Sequence, residues 1–279
     1  MLSQGARESE MELRIFDVEH GACALLSCDN GTRMMIDCGH NASTGWRPGT
    51  YLRQQGIGYL DMLVVTNYDE DHVSGLPDLL ANVEIGWLWR NKSVRPDVLQ
   101  HLKSEDGMGA GIEALVLMAA RYTGGDNATP PVFQGVERQA FKLDYPEFED
   151  ENNLSFVVHL KLDGVGFLFP GDLETKGWDT LLARDARFRT AIADTKVLIA
   201  SHHGRVGGVC PDIFAKFACR PYWVVISDKG YMHDTQETVP FYALRAQGGR
   251  FRGEDRKVLT TRNDGRIRFW FSDGKWGAD

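Results

Sequence analysis

Met62-Leu63-Val64-Val65-Thr66-Asn67-Tyr68-Asp69-Glu70-Asp71-His72 is the stretch on which the reading of this chain turns. An apolar run of strand length passes straight into a cluster of amide, carboxylate and imidazole groups. The run reads as a buried strand and the cluster as a loop at its end. Asn67, Asp69, Asp71 and His72 all carry atoms able to ligate a cation. Carboxylates packed this closely repel one another and resist burial unless a positive charge offsets them. A divalent metal is the natural candidate.

The same arrangement, apolar strand then polar group, recurs downstream. Phe167-Leu168-Phe169-Pro170-Gly171-Asp172 ends in a carboxylate, and Val197-Leu198-Ile199-Ala200-Ser201-His202-His203-Gly204 in two imidazoles. Val224-Val225-Ile226-Ser227 precedes Met232-His233-Asp234. Strand ends on one edge of a sheet converge, so residues distant in sequence can meet there. Each group also has a plainer reading. Asp172 can cap a following helix, and a lone histidine is commonly a hydrogen-bonded core or surface residue. His20, His40, His101 and His159 take that plainer reading. Asp17 and Asp37 read as turn residues, or as groups that steady ligands from behind.

Other elements are predicted more simply. Residues 13–18, 23–27 and 33–37 read as strands, and residues 83–89 as another. Residues 154–162 and 165–169 flank Asp163-Gly164, a hairpin signal. Residues 176–191 read as one helix and 240–247 as another. Asn263-Asp264-Gly265 reads as a second hairpin turn, joining 258–261 to 266–271. No internal repeat or low-complexity tract interrupts this pattern.

At 279 residues and 43% hydrophobic, the chain can bury a large core. The expected organisation is a flexible tail over residues 1–10 and one domain over residues 11–279. No apolar run reaches the roughly 20 residues of a membrane helix, and MLSQGARESE lacks an apolar signal core. The five cysteines show no CxxC spacing, which suits reduced thiols in a cytoplasmic protein. Net charge is −8, but residues 245–268 hold eight Lys/Arg against three acids, so +5 there leaves −13 elsewhere. That basic stretch could steer a polyanion, although on charge alone a solvated surface with outward arginines is the better reading.

The order Phe16-Asp17-Val18-Glu19-His20-Gly21, Ile36-Asp37-Cys38-Gly39, Thr66 to Gly75, Gly171-Asp172, His202-His203-Gly204 and His233 resembles the metallo-β-lactamase fold. It is most similar to the ComEC-type branch, the hydrolase domain of bacterial DNA-uptake channels and its stand-alone relatives. The resemblance covers about residues 11–271. It implies an αβ/βα four-layer sandwich of two mostly antiparallel sheets with outer helices and a metal site along one edge. It also implies two divalent metals. Carried over by position, Asp71, His72, Asp172 and His233 form one subsite. Asn67, Asp69, His202 or His203, and the shared Asp172 form the other.

The family loop reads His-x-His-x-Asp-His, and here Asn67 and Asp69 replace the leading histidines. Oxygen ligands favour Mn²⁺ or Mg²⁺ over Zn²⁺. The implied activity is hydrolysis of a phosphodiester, DNA or RNA, by a metal-activated hydroxide. Asp71, His203 and Asp234 would serve catalysis, the last two as proton donors to the leaving group. Arg205, Arg252 and Arg256 would contact the substrate backbone, and Asp17 and Asp37 would support ligands. Tyr231, Trp87 and Trp89 could stack bases. Other possibilities are a small ester, thioester or lactam hydrolase of the same fold, or an inert binding subunit with a protein partner or as a homo-oligomer.

Overall fold

The computed structural model describes residues 11–104, 107–123, 129–228 and 235–279. Two large sheets dominate. The larger runs, from edge to edge, Glu254–Arg256, Gly249–Phe251, Lys275–Ala278, Ile267–Ser272, Met11–Ile15, Cys23–Ser27, Arg33–Cys38, Met62–Val64 and Leu88–Trp89. The smaller runs Val258–Thr260, Trp223–Ile226, Thr195–Ile199, Val165–Phe169, Val157–Leu162 and Val136–Phe141. The larger sheet is mostly antiparallel. In the smaller one, Val165–Phe169, Thr195–Ile199, Trp223–Ile226 and Val258–Thr260 all run parallel.

Period-2 side-chain alternation explains the layering. Met34, Ile36, Met62 and Val64 of the larger sheet join Val158, Leu160, Phe167, Phe169, Val197 and Val225 of the smaller in one core between the sheets. The intervening residues Met35, Leu63, Val157, Leu168, Leu198 and Val224 point the other way. Outside the larger sheet they meet Leu52, Leu76, Leu79 and Leu115, from the helices Pro48–Gln54, Leu76–Asn82 and Ala110–Arg121. Outside the smaller they meet Trp178, Leu181, Phe188 and Phe214, from Thr175–Arg184, Ala186–Asp194 and Pro211–Ala215. Strands buried on both faces read as continuous apolar runs, as 62–65 and 167–169 do. The result is the four-layer sandwich.

Several sequence expectations need correction. The helix expected over 176–191 is two helices, because Asp185 ends the first and caps the second, accepting from the Arg187 amide at 2.8 Å. The helix expected from Pro240 is Thr235–Ala243, with Pro240 inside it. The strand expected over 83–89 is two short pieces in different sheets, Glu84–Ile85 and Leu88–Trp89. The second hairpin does not exist. Val258–Thr260 belongs to the smaller sheet and Ile267–Ser272 to the larger, and a helical turn, Thr261–Asp264, carries the chain between them. Asp264 fixes that crossing by accepting from the Thr260 amide at 2.8 Å. The five cysteines are free and buried. Among the described residues, no helix is long and apolar enough to cross a membrane.

The parallel strands matter most for function. Arg33–Cys38 and Met62–Val64 run parallel in one sheet, and the four parallel strands of the other do the same. Their C-terminal ends therefore open on a common edge, where the polar clusters lie. A backbone bond ties the two sheets together there, the Phe156 amide donating to the Thr66 carbonyl at 2.7 Å, and at the edge of the smaller sheet the His202 amide donates to the Gly171 carbonyl at 3.0 Å.

Candidate metal centre

The centre is built from behind by Asp37. This residue sits near the end of its strand in the left-handed region, at φ 54. Its buried carboxylate accepts from the Thr66 amide at 2.7 Å and the Thr66 hydroxyl at 2.5 Å, and lies 2.9 Å from His72 Nδ1. A carboxylate on Nδ1 fixes the ring and, in the neutral imidazole, keeps the proton there and the lone pair on Nε2. His72 Nε2 lies 3.0 Å from Asp172 Oδ1. The short helix Glu70–Val73 begins at this loop and sets Asp71 beside His72. Glu70 faces elsewhere, capping a neighbouring helix by accepting from the Gly111 and Ile112 amides at 2.8 and 3.1 Å.

Asp172 follows Gly171, whose positive φ of 60 and closeness to the Thr66 carbonyl suit glycine alone. The Asp172 amide donates to Ser155 Oγ at 3.0 Å. His202 and His203 both take left-handed backbone, at φ 51 and 53. That geometry sends their side chains to different places. His203 Nε2 lies 3.2 Å from Asp71 Oδ2 and 3.5 Å from Asp172 Oδ1, with its ring 4.4 Å from that of His20. That nitrogen is buried, yet has no aligned hydrogen bond. Left-handed non-glycine residues concentrate at functional sites because the surroundings must hold them there.

Two overlapping trios result, His72, Asp172 and His203, and His20, Asp71 and His203, each with ligand atoms within 4.8 Å of one another. Their electrostatics are those of opposite charges in a dry site. Burial opposes ionisation of Asp172, but the facing His72 and His203 hold its carboxyl well below the usual range. Burial likewise pushes Asp71 up, and His203 more than offsets it. Burial pushes the imidazoles down, but Asp172 with Asp37 holds His72 well above its ordinary value, and Asp172 with Asp71 brings His203 up to about 9. A buried ring nitrogen without an aligned partner, between two carboxylates and facing a second imidazole, fits one divalent cation.

The remaining expected residues are placed differently. Asn67 and Asp69 bond to each other, Nδ2 to Oδ2 at 3.2 Å, and Lys103 Nζ sits on Asp69 Oδ1. His202 turns away from His203: its Nδ1 lies 3.2 Å from Glu174 Oε1 and its Nε2 3.0 Å from Arg205 Nη1. His233 and Asp234, like Tyr231, lie outside the described residues. Asp37 lies against His72 Nδ1, and Asp17 closes a turn by accepting from the Glu19 amide at 3.2 Å. Arg252 and Arg256 are engaged within the closing region. Arg252 donates to the carbonyls of Asp264 and Arg266 at 2.6 and 2.8 Å, and Arg256 grips the Asp264 carboxylate at 3.0 Å through both terminal nitrogens. Trp87 and Trp89 pack against the inner core.

Sequence reading passed over three residues. His20 was given a surface or core role although it stands in the turn after the first strand, within the Phe16 to Gly21 motif. Lys103 and Glu174 carried no local signal at all.

No family model matches the chain. It is 23% identical over 271 residues to competence protein ComA of Neisseria gonorrhoeae, covering 96% of this chain and 33% of that one. It is 24% identical over 291 residues to ComE operon protein 3 of Bacillus subtilis (strain 168), covering 95% of this chain and 34% of that one. The chain thus spans about a third of the length of these curated relatives. Looser likenesses are to a Thermotoga maritima structure of the metallo-beta-lactamase superfamily and to a diphosphatase of the PhnP family. The first is 11% identical, with a TM-score of 0.43, over 89% of this chain and 97% of that one. The second is 11% identical, with a TM-score of 0.41, over 94% and 99%. In its motif order, in its four-layer sandwich and in its likeness to two competence proteins along nearly its whole length, this chain resembles metallo-β-lactamase-fold proteins of the ComEC type.

Proposed function

We propose that the chain is a metal-dependent hydrolase that cleaves phosphodiester bonds, with nucleic acid as its substrate. The observation that carries this reading is the meeting of Asp71, His72, Asp172 and His203 at one sheet edge. A divalent ion held by these four would lower the pKa of a bound water and draw charge onto a non-bridging phosphoryl oxygen. Two imidazoles and two carboxylates suit Mn²⁺, which accepts both donor types.

The protein's own groups supply the rest. Asp37 holds the His72 ring in orientation, and Ser155 holds the backbone of Asp172. Arg205, half-buried beside the centre, has a buried Nε without a hydrogen-bond partner. A planar guanidinium suits phosphate oxygens, and its neighbour His202 fixes its position. Phosphodiesters are favoured over neutral esters or lactams because a guanidinium stands at the site.

A panel of single- and double-stranded DNA, RNA, bis(4-nitrophenyl) phosphate and a simple thioester, each with Mn²⁺, Mg²⁺ or Zn²⁺, tests the reading. Phosphodiester cleavage should require metal and fall at least about 10³-fold in Asp71→Ala and Asp172→Ala. Activity that survives both substitutions, or acts on the thioester alone, rejects it.

A further inference from the structure

The fold family implies two cations, and the residues of one subsite do not fit a cation. Asn67 offers a metal only its Oδ1, and that atom accepts from the Tyr68 amide at 2.7 Å. Its Nδ2 faces the would-be ligands instead, donating to Asp69 Oδ2 at 3.2 Å and towards Asn152 Oδ1 at 3.4 Å. Three contacts agree on this amide orientation, because the oxygens need a donor and the backbone needs an acceptor. His202 has its Nε2 against the Arg205 guanidinium and its Nδ1 against Glu174. Asn67 and Asp69 thus face each other, and His202 faces Arg205 and Glu174.

A positive charge is already present. Lys103 follows the helix Pro96–Leu102, and only 7% of it is exposed. Its ammonium contacts the Asp69 carboxylate and, at 3.1 Å, Glu151 Oε1. Lysine is rarely buried unless paired, and here it meets two carboxylates. The ammonium neutralises the loop carboxylate that a first cation would otherwise neutralise.

We infer that the Lys103 ammonium stands in place of the first cation, so that the protein binds one divalent ion rather than two. This rests on the reading of Asp71, His72, Asp172 and His203 as a metal centre, and it removes the oxygen-rich first subsite from which a preference for Mg²⁺ would follow. The ion pair keeps the Asn67–Asp69 segment in place without metal, and Arg205 with Lys103 presents fixed cations beside a single exchangeable one.

The test counts bound Mn²⁺ on the full chain, by native mass spectrometry and by elemental analysis after desalting. Wild type should carry one equivalent. Two equivalents overturn the inference. None at all overturns the metal-centre reading itself, which separates the two failures. Asn67→His restores an imidazole at the loop's leading position and should still carry one equivalent, because the ammonium remains. Asn67→His with Lys103→Met should carry two. A second equivalent in Asn67→His alone, or only one in the double variant with a native circular dichroism spectrum, shows that Lys103 is not what excludes the ion. The wild-type and Asn67→His counts decide the matter even where the double variant fails to fold.

Discussion

Asp37→Asn isolates the support behind His72. The structure gives Asp37 two bonds to Thr66 and one approach to His72 Nδ1 at 2.9 Å. Asparagine tolerates the left-handed backbone at φ 54, and its Oδ1 can still accept from the Thr66 amide. Its Nδ2, however, meets Nδ1 as a donor, so the neutral ring must place its proton on Nε2, the atom aimed at the metal. Loss of such an orienting partner costs about 10- to 100-fold in metal affinity, or about 1.4–2.7 kcal/mol. The metal-free fold should lose about 3–5 kcal/mol, since the buried carboxylate that faces the protonated His72 ring loses its charge. Isothermal titration with Mn²⁺ gives the Kd, and the thermal midpoint of the metal-free variant reports the fold. A Kd within about twofold of wild type, with the thermal midpoint unchanged, would refute the proposed role of Asp37.

Three further outcomes follow from the same geometry. His203, raised to about 9 from an ordinary 6.5, stabilises the metal-free fold fully below the unfolded value, and that stability is lost as pH rises through about 9. The shift corresponds to about 3 kcal/mol, so the urea midpoint of metal-free protein should drop between about pH 7 and 10, and His203→Asn should lessen the drop, leaving the part due to His72. Gly39→Ala places a Cβ 2.5 Å from the Asp71 carbonyl oxygen; it should lower the thermal midpoint and weaken Mn²⁺ binding together, and a variant that binds normally contradicts that contact. Phe167 is fully buried between the sheets, edge-on to Phe269 at 5.1 Å; Phe167→Ala should cost about 3–5 kcal/mol in urea unfolding, with Mn²⁺ stoichiometry retained.

What the sequence makes legible is whatever a strand carries with it. Runs such as 62–65, 167–169 and 224–226 declare buried strands, and the polar residues that follow them lie at the edge. Asp71, His72 and Asp172 can therefore be named from spacing and resemblance, with His202 and His203 left as alternatives. Partners that arrive from elsewhere cannot. Lys103 reaches Asp69 from the end of a helix 34 residues on, and Glu174 reaches His202 from a third segment. The left-handed turns that send His202 and His203 apart have no signature in Ser201-His202-His203-Gly204. A single side chain splits the helix expected over 176–191: Asp185 offers its carboxylate to an amide two residues on, and local capping outweighs the apolar period. The false hairpin at Asn263-Asp264-Gly265 has the composition of a tight turn, but only the two sheets decide that its flanking strands part company.

The strand Met11–Ile15 has one neighbour close at hand, Cys23–Ser27, and another, Ile267–Ser272, that closes through Arg268 to Glu12 across 256 residues. The larger sheet thus stays unsealed until Ile267–Ser272 is available, because a loop of that span must be closed before its contacts reward it. A version cut short before residue 267 would leave an apolar edge bare, ready to pair with the same edge of another molecule. Shortened versions should therefore precipitate instead of yielding a smaller folded unit, and the strands after residue 266 belong to the minimal foldable module as firmly as the loop over residues 66–75 does.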